Sequence, residues 1–234
     1  MVLQGQVNYT GDGLTISTRA MVTQLAVVNV HTDNISNFGV PGYQRKDPVV
    51  TSFAEYLGPN AIDKATSTEI GRIRQSGNPL DFALNTKGYF QKMNAAGGVE
   101  LTRDGRMKLD QDGYLRALDD KKILSAAGVP LRFTTIPKDL AKQVKVSPDG
   151  TVTVFDNQQG KTIPMGRLGI VSQEGSIAAE VDVKQGYVED SNVYLQNEFV
   201  SIIPLRRNFE ANRQLFILQS DNLSRMIQEL GRTQ

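Results

Sequence analysis

Apolar side chains recur at alternating spacings of four and three in the first part of the chain, up to about residue 37. The stripe consists of Leu14, Thr18, Met21, Leu25, Val28, Thr32 and Ile35. These spacings place the positions on one face of an α-helix, as in the a and d positions of a heptad. The helix is predicted to end near Asn37, because Pro41-Gly42 breaks the chain soon afterwards.

A second stripe lies near the other end of the chain, from about Ser191 to Leu230. One row repeats every seven residues at Ile202, Phe209, Phe216, Leu223 and Leu230. Leu205, Asn212, Gln219 and Met226 form a second row, which two polar residues interrupt. Pro204 lacks a backbone donor, so we expect a kink or a helix start near it.

The middle of the chain follows a different pattern. Asp104-Gly105, Asp112-Gly113 and Asp149-Gly150 are tight-turn signals, and short alternating runs such as Thr151–Val154 lie beside them. This pattern predicts an all-β region built of hairpins. Residues 44–76 are polar and predict an extended connection that is at best partly ordered.

Together these patterns predict an α+β fold, in which a mainly-β central domain is inserted between N- and C-terminal helices that pair in a coiled-coil-like layer. The predicted segments are an N-terminal helix at 1–37, an extended or β connection at 38–76, a β-rich domain at 77–185 and a C-terminal helix at 186–234. Each stripe is too narrow to stabilise a helix alone. The helices are therefore expected to pack against each other and against other copies.

Composition narrows the possible functions. The net charge of +1 provides no basic field for nucleic acid or anionic lipid. The chain has no cysteine and one histidine, His31, which excludes thiolate chemistry, disulfides and cysteine- or histidine-rich metal sites. Residues 1–6 do not resemble a secretory signal peptide, and no apolar stretch reaches the roughly eighteen residues of a membrane span.

A few residues suggest chemistry at first sight. Asp104, Asp110 and Asp112 are compatible with a carboxylate pair or a calcium loop, but their place beside glycines favours hairpin turns. Gly160-Lys161-Thr162 lacks the upstream glycine of a phosphate-binding loop. His31 lies off the main stripe and is expected to be solvated or interfacial. We therefore expect no catalytic, cofactor-binding or metal-binding residues.

The segment at the end of the predicted first helix reads DNISNFGVPGYQR at 33–45. It resembles the N-terminal motif of the bacterial flagellar rod and hook axial proteins, which is roughly N-N-I-A-N-x-N-T-x-G-[FY]-[KR]. The residues that match are Asn34, Ile35, Asn37, Gly42 and Tyr43. Gly39 and Val40 depart from it.

Two further segments carry the same resemblance. The runs GYVEDSNV at 186–193, EFV at 198–200 and RNFEAN at 207–212 are similar to the family's C-terminal motifs. Pro204 departs from that pattern. In the middle, GNPLDFAL at 77–84 and TRDG at 102–105 resemble β-domain motifs of the longer rod proteins.

The resemblance implies a structural subunit of the flagellar basal-body rod, which transmits torque and forms part of the export channel. It implies that both terminal helices line an axial tube with the β-rich domain outside. The implied partners are copies of the chain, other rod and hook axial proteins, and the flagellar type III export apparatus, with export needing no cleaved signal. The chain length fits a proximal or a distal rod member, and RRNFE at 206–210 favours the proximal one.

Two other interpretations are a soluble adaptor that binds one partner and a wall-remodelling hydrolase using Asp104 and Asp110. The preferred interpretation assigns the helix stripes to subunit contacts through Leu14, Met21, Leu25, Val28, Ile35, Ile202, Phe209, Phe216, Leu223 and Leu230. It assigns Asn34, Asn37, Gly42 and Tyr43 to the motif turn. It predicts no cofactor, no nucleic acid and no small-molecule substrate.

Overall fold

The computed structural model describes residues 13–50, 62–133, 143–156 and 160–232. In these residues a long helix lies at each end, and fifteen short strands lie between them. The predicted α+β class, with a mainly-β region between terminal helices, is confirmed. No helix in the described residues combines the length and the hydropathy that crossing a membrane requires.

The first helix, α1, is Gly13–Ser36, and the second, α2, is Leu195–Arg232. The backbone turns at 37–40 directly after α1, where the Val40 amide donates to the Asn37 carbonyl over 3.0 Å. At the start of α2, the amides of Asn197 and Glu198 donate to the Tyr194 carbonyl. Pro204 lies inside α2, so the expectation of a helix start near this proline is wrong.

The strands are short, as expected for hairpins. They are β1 Lys46–Val50, β2 Ile62–Thr66, β3 Ile73–Gln75, β4 Phe82–Leu84, β5 Tyr89–Met93, β6 Val99–Thr102, β7 Met107–Leu109, β8 Leu115–Ala117, β9 Lys122–Ile123, β10 Val144–Val146, β11 Thr151–Asp156, β12 Lys161–Arg167, β13 Ile170–Val171, β14 Val183–Gln185 and β15 Tyr187–Glu189. All strand pairs are antiparallel in the described residues.

The chain divides into two compact units. The first, the helical unit, contains α1, α2 and the β1–β2 hairpin. The hairpin pairs Lys46 with Thr66 and Val50 with Ile62, and both of its strands contact α1. The described residues of the polar segment 44–76 include this hairpin and β3. Residues 51–61 lie outside the described part of the chain.

The second unit, the β unit, comprises residues 37–45 and 67–193. Its largest sheet has the order β13-β5-β9-β8-β7, with β6 also paired to β5. A three-stranded sheet β10-β11-β12 and the pairs β14-β4 and β15-β3 complete it. The predicted connection at 38–76 is thus divided between the two units.

One hydrophobic core holds the β unit together. Phe82, Phe90 and Phe133 are its largest buried side chains, and aliphatic residues from both larger sheets pack around them. Burying each such side chain contributes about 1.5–3 kcal/mol. The β unit therefore has an interior of its own.

Candidate assembly surfaces and the motif contacts that support them

The helical unit pairs α1 and α2 in opposite directions. Near one end, His31 and Asn34 of α1 contact Glu198 in the first turn of α2. Near the other end, a Cβ atom on Gly13 would lie 2.4 Å from the side-chain nitrogen of Gln219. The paired segments 13–34 and 198–219 are therefore roughly 32 Å long at 1.5 Å per residue. The remainder of α2, from Ser220 to Arg232, continues past the first residue of α1.

The face of α1 that packs inward differs from the predicted stripe. The buried residues are Ser17, Val27, Val30 and Asn34, and all of them except Val30 lie one position before a member of the predicted row. Leu25, at the centre of that row, is 54% exposed. Leu14, Met21, Val28 and Ile35 are half-buried. A shift of one residue rotates the helix face by about 100°, and it brings the polar Asn34 side chain to its partners.

The second stripe agrees better with the structure over the paired part of α2. Ile202, Leu205, Asn212, Phe216 and Gln219 are all half-buried, so the two polar interruptions belong to the same face as the apolar residues. Phe209 lies at the border of this face and is more exposed. Leu223 and Leu230 lie beyond Gln219 and are exposed.

A buried polar junction fixes the end of α1. The Asn34 side chain donates to the Lys46 carbonyl over 2.8 Å and accepts from the Lys46 amide over 2.9 Å. It also donates to Glu198 over 3.2 Å, and Nδ1 of His31 lies 2.6 Å from the same carboxylate oxygen. Glu198 is only 3% exposed. Its carboxylate is therefore held by two α1 side chains and by the positive end of the α2 dipole.

Apolar side chains remain exposed on both helices. On α1 they include Ile16, Val22 and Leu25. On α2 they are Phe199, Val200, Ile203, Phe209, Leu215, Ile217, Leu218, Leu223, Met226, Ile227 and Leu230. A surface helix of a monomeric protein normally carries polar residues opposite its packed face. Large exposed apolar surface is typical of contact sites for other molecules.

In the β unit, a buried ion pair joins two of the motifs that resemble the axial protein family. Arg103 of the TRDG run lies 2.7 Å from Glu189 of the GYVEDSNV run, and both side chains are almost fully buried. The other donors of Arg103 bind the carbonyls of Thr86, Gly88 and Leu84. The guanidinium group thus has partners for all five of its N–H groups.

The second oxygen of Glu189 accepts the Gly71 amide over 2.9 Å. Burial raises the pKa of Glu189 above its ordinary value, and the Arg103 charge and the Gly71 amide oppose that rise. Two segments that are far apart in sequence are joined here by one charge pair. Its place in the interior makes it a structural feature and not an exposed acid–base group.

The motif turn packs against the same segment. The Gly42 amide donates to the Glu189 carbonyl over 2.8 Å, and Gly42 has a φ of 70°. A Cβ atom at this position would lie 2.3 Å from the Asp104 nitrogen, so only glycine fits. The amide of Asn192 donates to the Tyr43 carbonyl, and its side chain accepts the Arg45 amide over 2.6 Å.

The structure thus separates the predicted motif residues. Asn34 belongs to the junction between α1, α2 and β1, whereas Asn37, Gly42 and Tyr43 belong to the β unit. His31, expected to be solvated or interfacial, instead contacts Glu198 within the chain. Sequence reasoning did not single out Arg103, Glu189 or Glu198 as a group. A signal was present, because each is a charged residue inside a quoted motif.

The aspartates considered as a carboxylate pair lie in turns. Asp104 accepts the Arg106 amide and pairs with its guanidinium group over 2.8 Å. Asp110 accepts the Tyr114 amide and pairs with Arg116 over 2.5 Å. No cluster of potential metal ligands occurs among the described residues. These contacts agree with the hairpin-turn interpretation.

Paired terminal helices with apolar outer faces, on either side of a β unit in sequence, are the features expected of a self-assembling structural protein. Comparison with protein families gives two matches. Residues 83–154 match the flagellar hook protein FlgE/F/G D1 domain, and residues 184–229 match the flagellar basal body rod FlgEFG protein C-terminal domain. The two matches span about half of the chain. The chain belongs to the flagellar hook and basal-body rod protein family.

Relatives with established names extend the similarity over most of the chain. The flagellar basal-body rod protein FlgF of Mesorhizobium japonicum is 25% identical, covering 94% of this chain and 98% of the relative. FlgF of Rhizobium meliloti is 26% identical, with 91% and 96% covered. The rod protein FlgG of Bacillus subtilis is 28% identical, with 71% and 70% covered.

Proposed function

We propose that this chain is a structural subunit of the bacterial flagellar basal-body rod and that it acts by assembly, without catalysis. The observation that carries the proposal is the apolar surface on the outer faces of α1 and α2, exemplified by Leu25 and by Ile203, which is 53% exposed. The family of the chain and the names of its relatives support the same role. Its partners are copies of itself and other axial proteins of the rod and hook.

The mechanism is mechanical. Covering a half-exposed leucine or isoleucine contributes about 1 kcal/mol, so each contact is weak but many act together along two helices. A contact between different surfaces of identical subunits extends into a helical filament when its rotation does not close a ring. The predicted contact residues Leu25, Leu223 and Leu230 are exposed, as a contact with another subunit requires. Ile202 and Phe216 also support the contact between α1 and α2.

The proposal includes location and delivery. The assembled subunit lies in the flagellar basal body, and the flagellar type III apparatus exports it without cleaving a signal. The names of the relatives support the location. Deleting the export apparatus should leave the chain inside the cell. Finding it outside such cells in normal amounts would contradict this delivery route.

The test of assembly uses two matched charge substitutions. Leu25→Lys places a charge on the outer face of α1, and Leu118→Lys places one at a 50% exposed leucine of the β unit. Both should keep wild-type helical circular dichroism, since surface changes usually alter stability by about 0.5 kcal/mol or less. Electron microscopy at high concentration should show tubes for wild type and Leu118→Lys but not for Leu25→Lys. Wild-type tubes formed by Leu25→Lys would overturn the proposed contact.

A further inference from the structure

Two grooves lie side by side on the β unit, separated by the turn at residues 125–129, which we call the ridge. The first groove has a volume of about 390 Å³, and the second has about 410 Å³. Ala126, Ala127 and Arg167 line both grooves. The ridge is a hydrogen-bonded turn, in which the Ser125 amide donates to the Val129 carbonyl over 2.8 Å. It is therefore a defined surface feature between two depressions.

A second turn, at residues 172–177, borders the far side of the second groove. Its tip is closed by the Ser172 amide, which donates to the Ser176 carbonyl over 2.7 Å. Ile177, at its end, is 85% exposed although it is a large apolar residue. The turn therefore holds an apolar side chain out from the surface, next to grooves whose walls include Val129, Pro130 and Met165.

The charges around these features are complementary. Arg132 and Arg167 line the first groove, and each donates its Nε–H to a backbone carbonyl, of Asp112 and Asp149 respectively. Among the described residues no salt bridge forms with either guanidinium group, although the Asp149 carboxylate interacts electrostatically with Arg167, and Arg132 lies over the Tyr114 ring at 5.3 Å. Glu174 and Glu180 lie three residues before and after Ile177. Both are exposed, and neither forms an ion pair within the described ranges.

We propose that this face binds the same face of a second copy of the chain. The turn at 172–177 of each copy enters the first groove of the other, so that the Ile177 side chain meets Val129 and the glutamates meet Arg132 and Arg167. The ridge of each copy then occupies the second groove of the other. Shape and charge are both satisfied by one arrangement.

The proposed contact is two-fold, because the turn and the first groove are neighbours: Gly175 and Ile177 of the turn line the second groove, which shares Arg167 with the first. Rotation by 180° about an axis near the ridge exchanges the two features between copies. A head-to-tail row would need them on different faces. A two-fold contact closes at two copies, so it cannot extend a filament. It is a property of the unassembled chain, and it stands independently of the proposed rod function.

Charge reversal tests the pairing directly in the full chain. One variant carries E174K and E180K, and the other carries R132E and R167E. Each variant alone places like charges opposite each other at both ends of the contact, whereas a mixture places opposite charges at both ends. Sedimentation equilibrium should show a dimer for wild type and a dissociation constant at least ten-fold higher for each variant alone. The mixture of the two variants should form a heterodimer again. A monomeric wild type, or a mixture no tighter than its components, would overturn the proposal.

Disulfide trapping locates the contact, since the chain contains no cysteine. A chain with I177C, mixed with a tagged chain carrying V129C, should form a crosslinked heterodimer on oxidation. The yield of this heterodimer should be at least ten-fold higher than with a tagged chain carrying V99C, a substitution at another exposed valine of the β unit. Equal crosslinking to both valine positions would contradict the arrangement. Tubes without this dimer would overturn only the dimer, whereas dimers without tubes would count against the rod function.

Discussion

The buried pair of Arg103 and Glu189 gives the sharpest stability prediction. Replacing Arg103 with methionine removes the guanidinium group that lies 2.7 Å from the carboxylate. Removing one partner of a buried ion pair costs about 3–5 kcal/mol, because the other charge is left buried and uncompensated. Three carbonyl groups also lose the donors that Arg103 provides. We therefore expect Arg103→Met to destabilise the β unit by at least about 4 kcal/mol.

A neighbouring pair provides the matched control. Arg74 lies 3.3 Å from Asp190, but both side chains are substantially exposed. An exposed pair of this kind contributes about 0–1 kcal/mol, so Arg74→Met should have little effect. The double variant with Arg103→Met and Glu189→Met removes the stranded charge and should recover part of the loss. It should not recover all of it, because the three carbonyls stay without that donor.

The assay must follow the β unit separately, since two compact units need not unfold in one transition. Amide hydrogen exchange in increasing urea, measured by mass spectrometry, reports the opening free energy of peptides in β5 and β15. The Gly71 amide is a direct reporter, because it donates to Glu189. If Arg103→Met lowered the opening free energy by less than about 1 kcal/mol, or by the same amount as Arg74→Met, the buried pair would not have the predicted stabilising role.

Four other substitutions probe contacts of the motif residues. Gly42→Ala should destabilise the β unit by more than about 1 kcal/mol, because the added Cβ would lie 2.3 Å from a backbone nitrogen. Thermal melting should show a lower melting temperature, and an unchanged melting temperature would contradict this. Asn34→Ala should cost the helical unit about 2–4 kcal/mol through the unsatisfied Lys46 groups. Asn34→Asp should lower the free energy of unfolding further, since it adds a carboxylate beside Glu198. Urea unfolding followed by helical circular dichroism measures both variants, and an equal loss of stability in the two would contradict this prediction. The raised pKa of Glu189 means that the folded state binds its proton more tightly, so this stabilising contribution is complete below pH 4.5 and is lost as the pH rises through the folded value. Glu189→Gln should remove that part of the pH dependence, and parallel stability curves for the two proteins would contradict it.

The sequence predicted the helices and the β-rich middle because each has a strong local pattern. Periodicity could not select the packed face of α1, since apolar residues flank the stripe on both sides. The choice depends on Asn34, whose partners Lys46 and Glu198 lie 12 and 164 residues away in sequence. A single-residue rotation of the helix therefore follows from tertiary contacts, which no local pattern records.

The candidate contact residues show the same limit. Leu223 and Leu230 are exposed, as a surface role requires, whereas Ile202 and Phe216 are half-buried against the partner helix within the chain. The ion pair of Arg103 and Glu189 joins positions 86 residues apart. Each residue was part of a quoted motif, but their pairing depends on strand order. The β1–β2 hairpin was missed because both strands carry charged residues and because Pro48 argues against a strand at β1.

The central claim is that the outer face of α1 becomes covered when subunits assemble. Leu25→Cys and Val27→Cys introduce single thiols at a 54% exposed and a 7% exposed position of that helix. Thiol labelling of the free chain should modify Leu25→Cys rapidly and Val27→Cys slowly. In sedimented tubes we expect Leu25→Cys to become as unreactive as Val27→Cys, because the outer face of α1 is then covered. Tubes in which Leu25→Cys reacts as fast as in the free chain would contradict it.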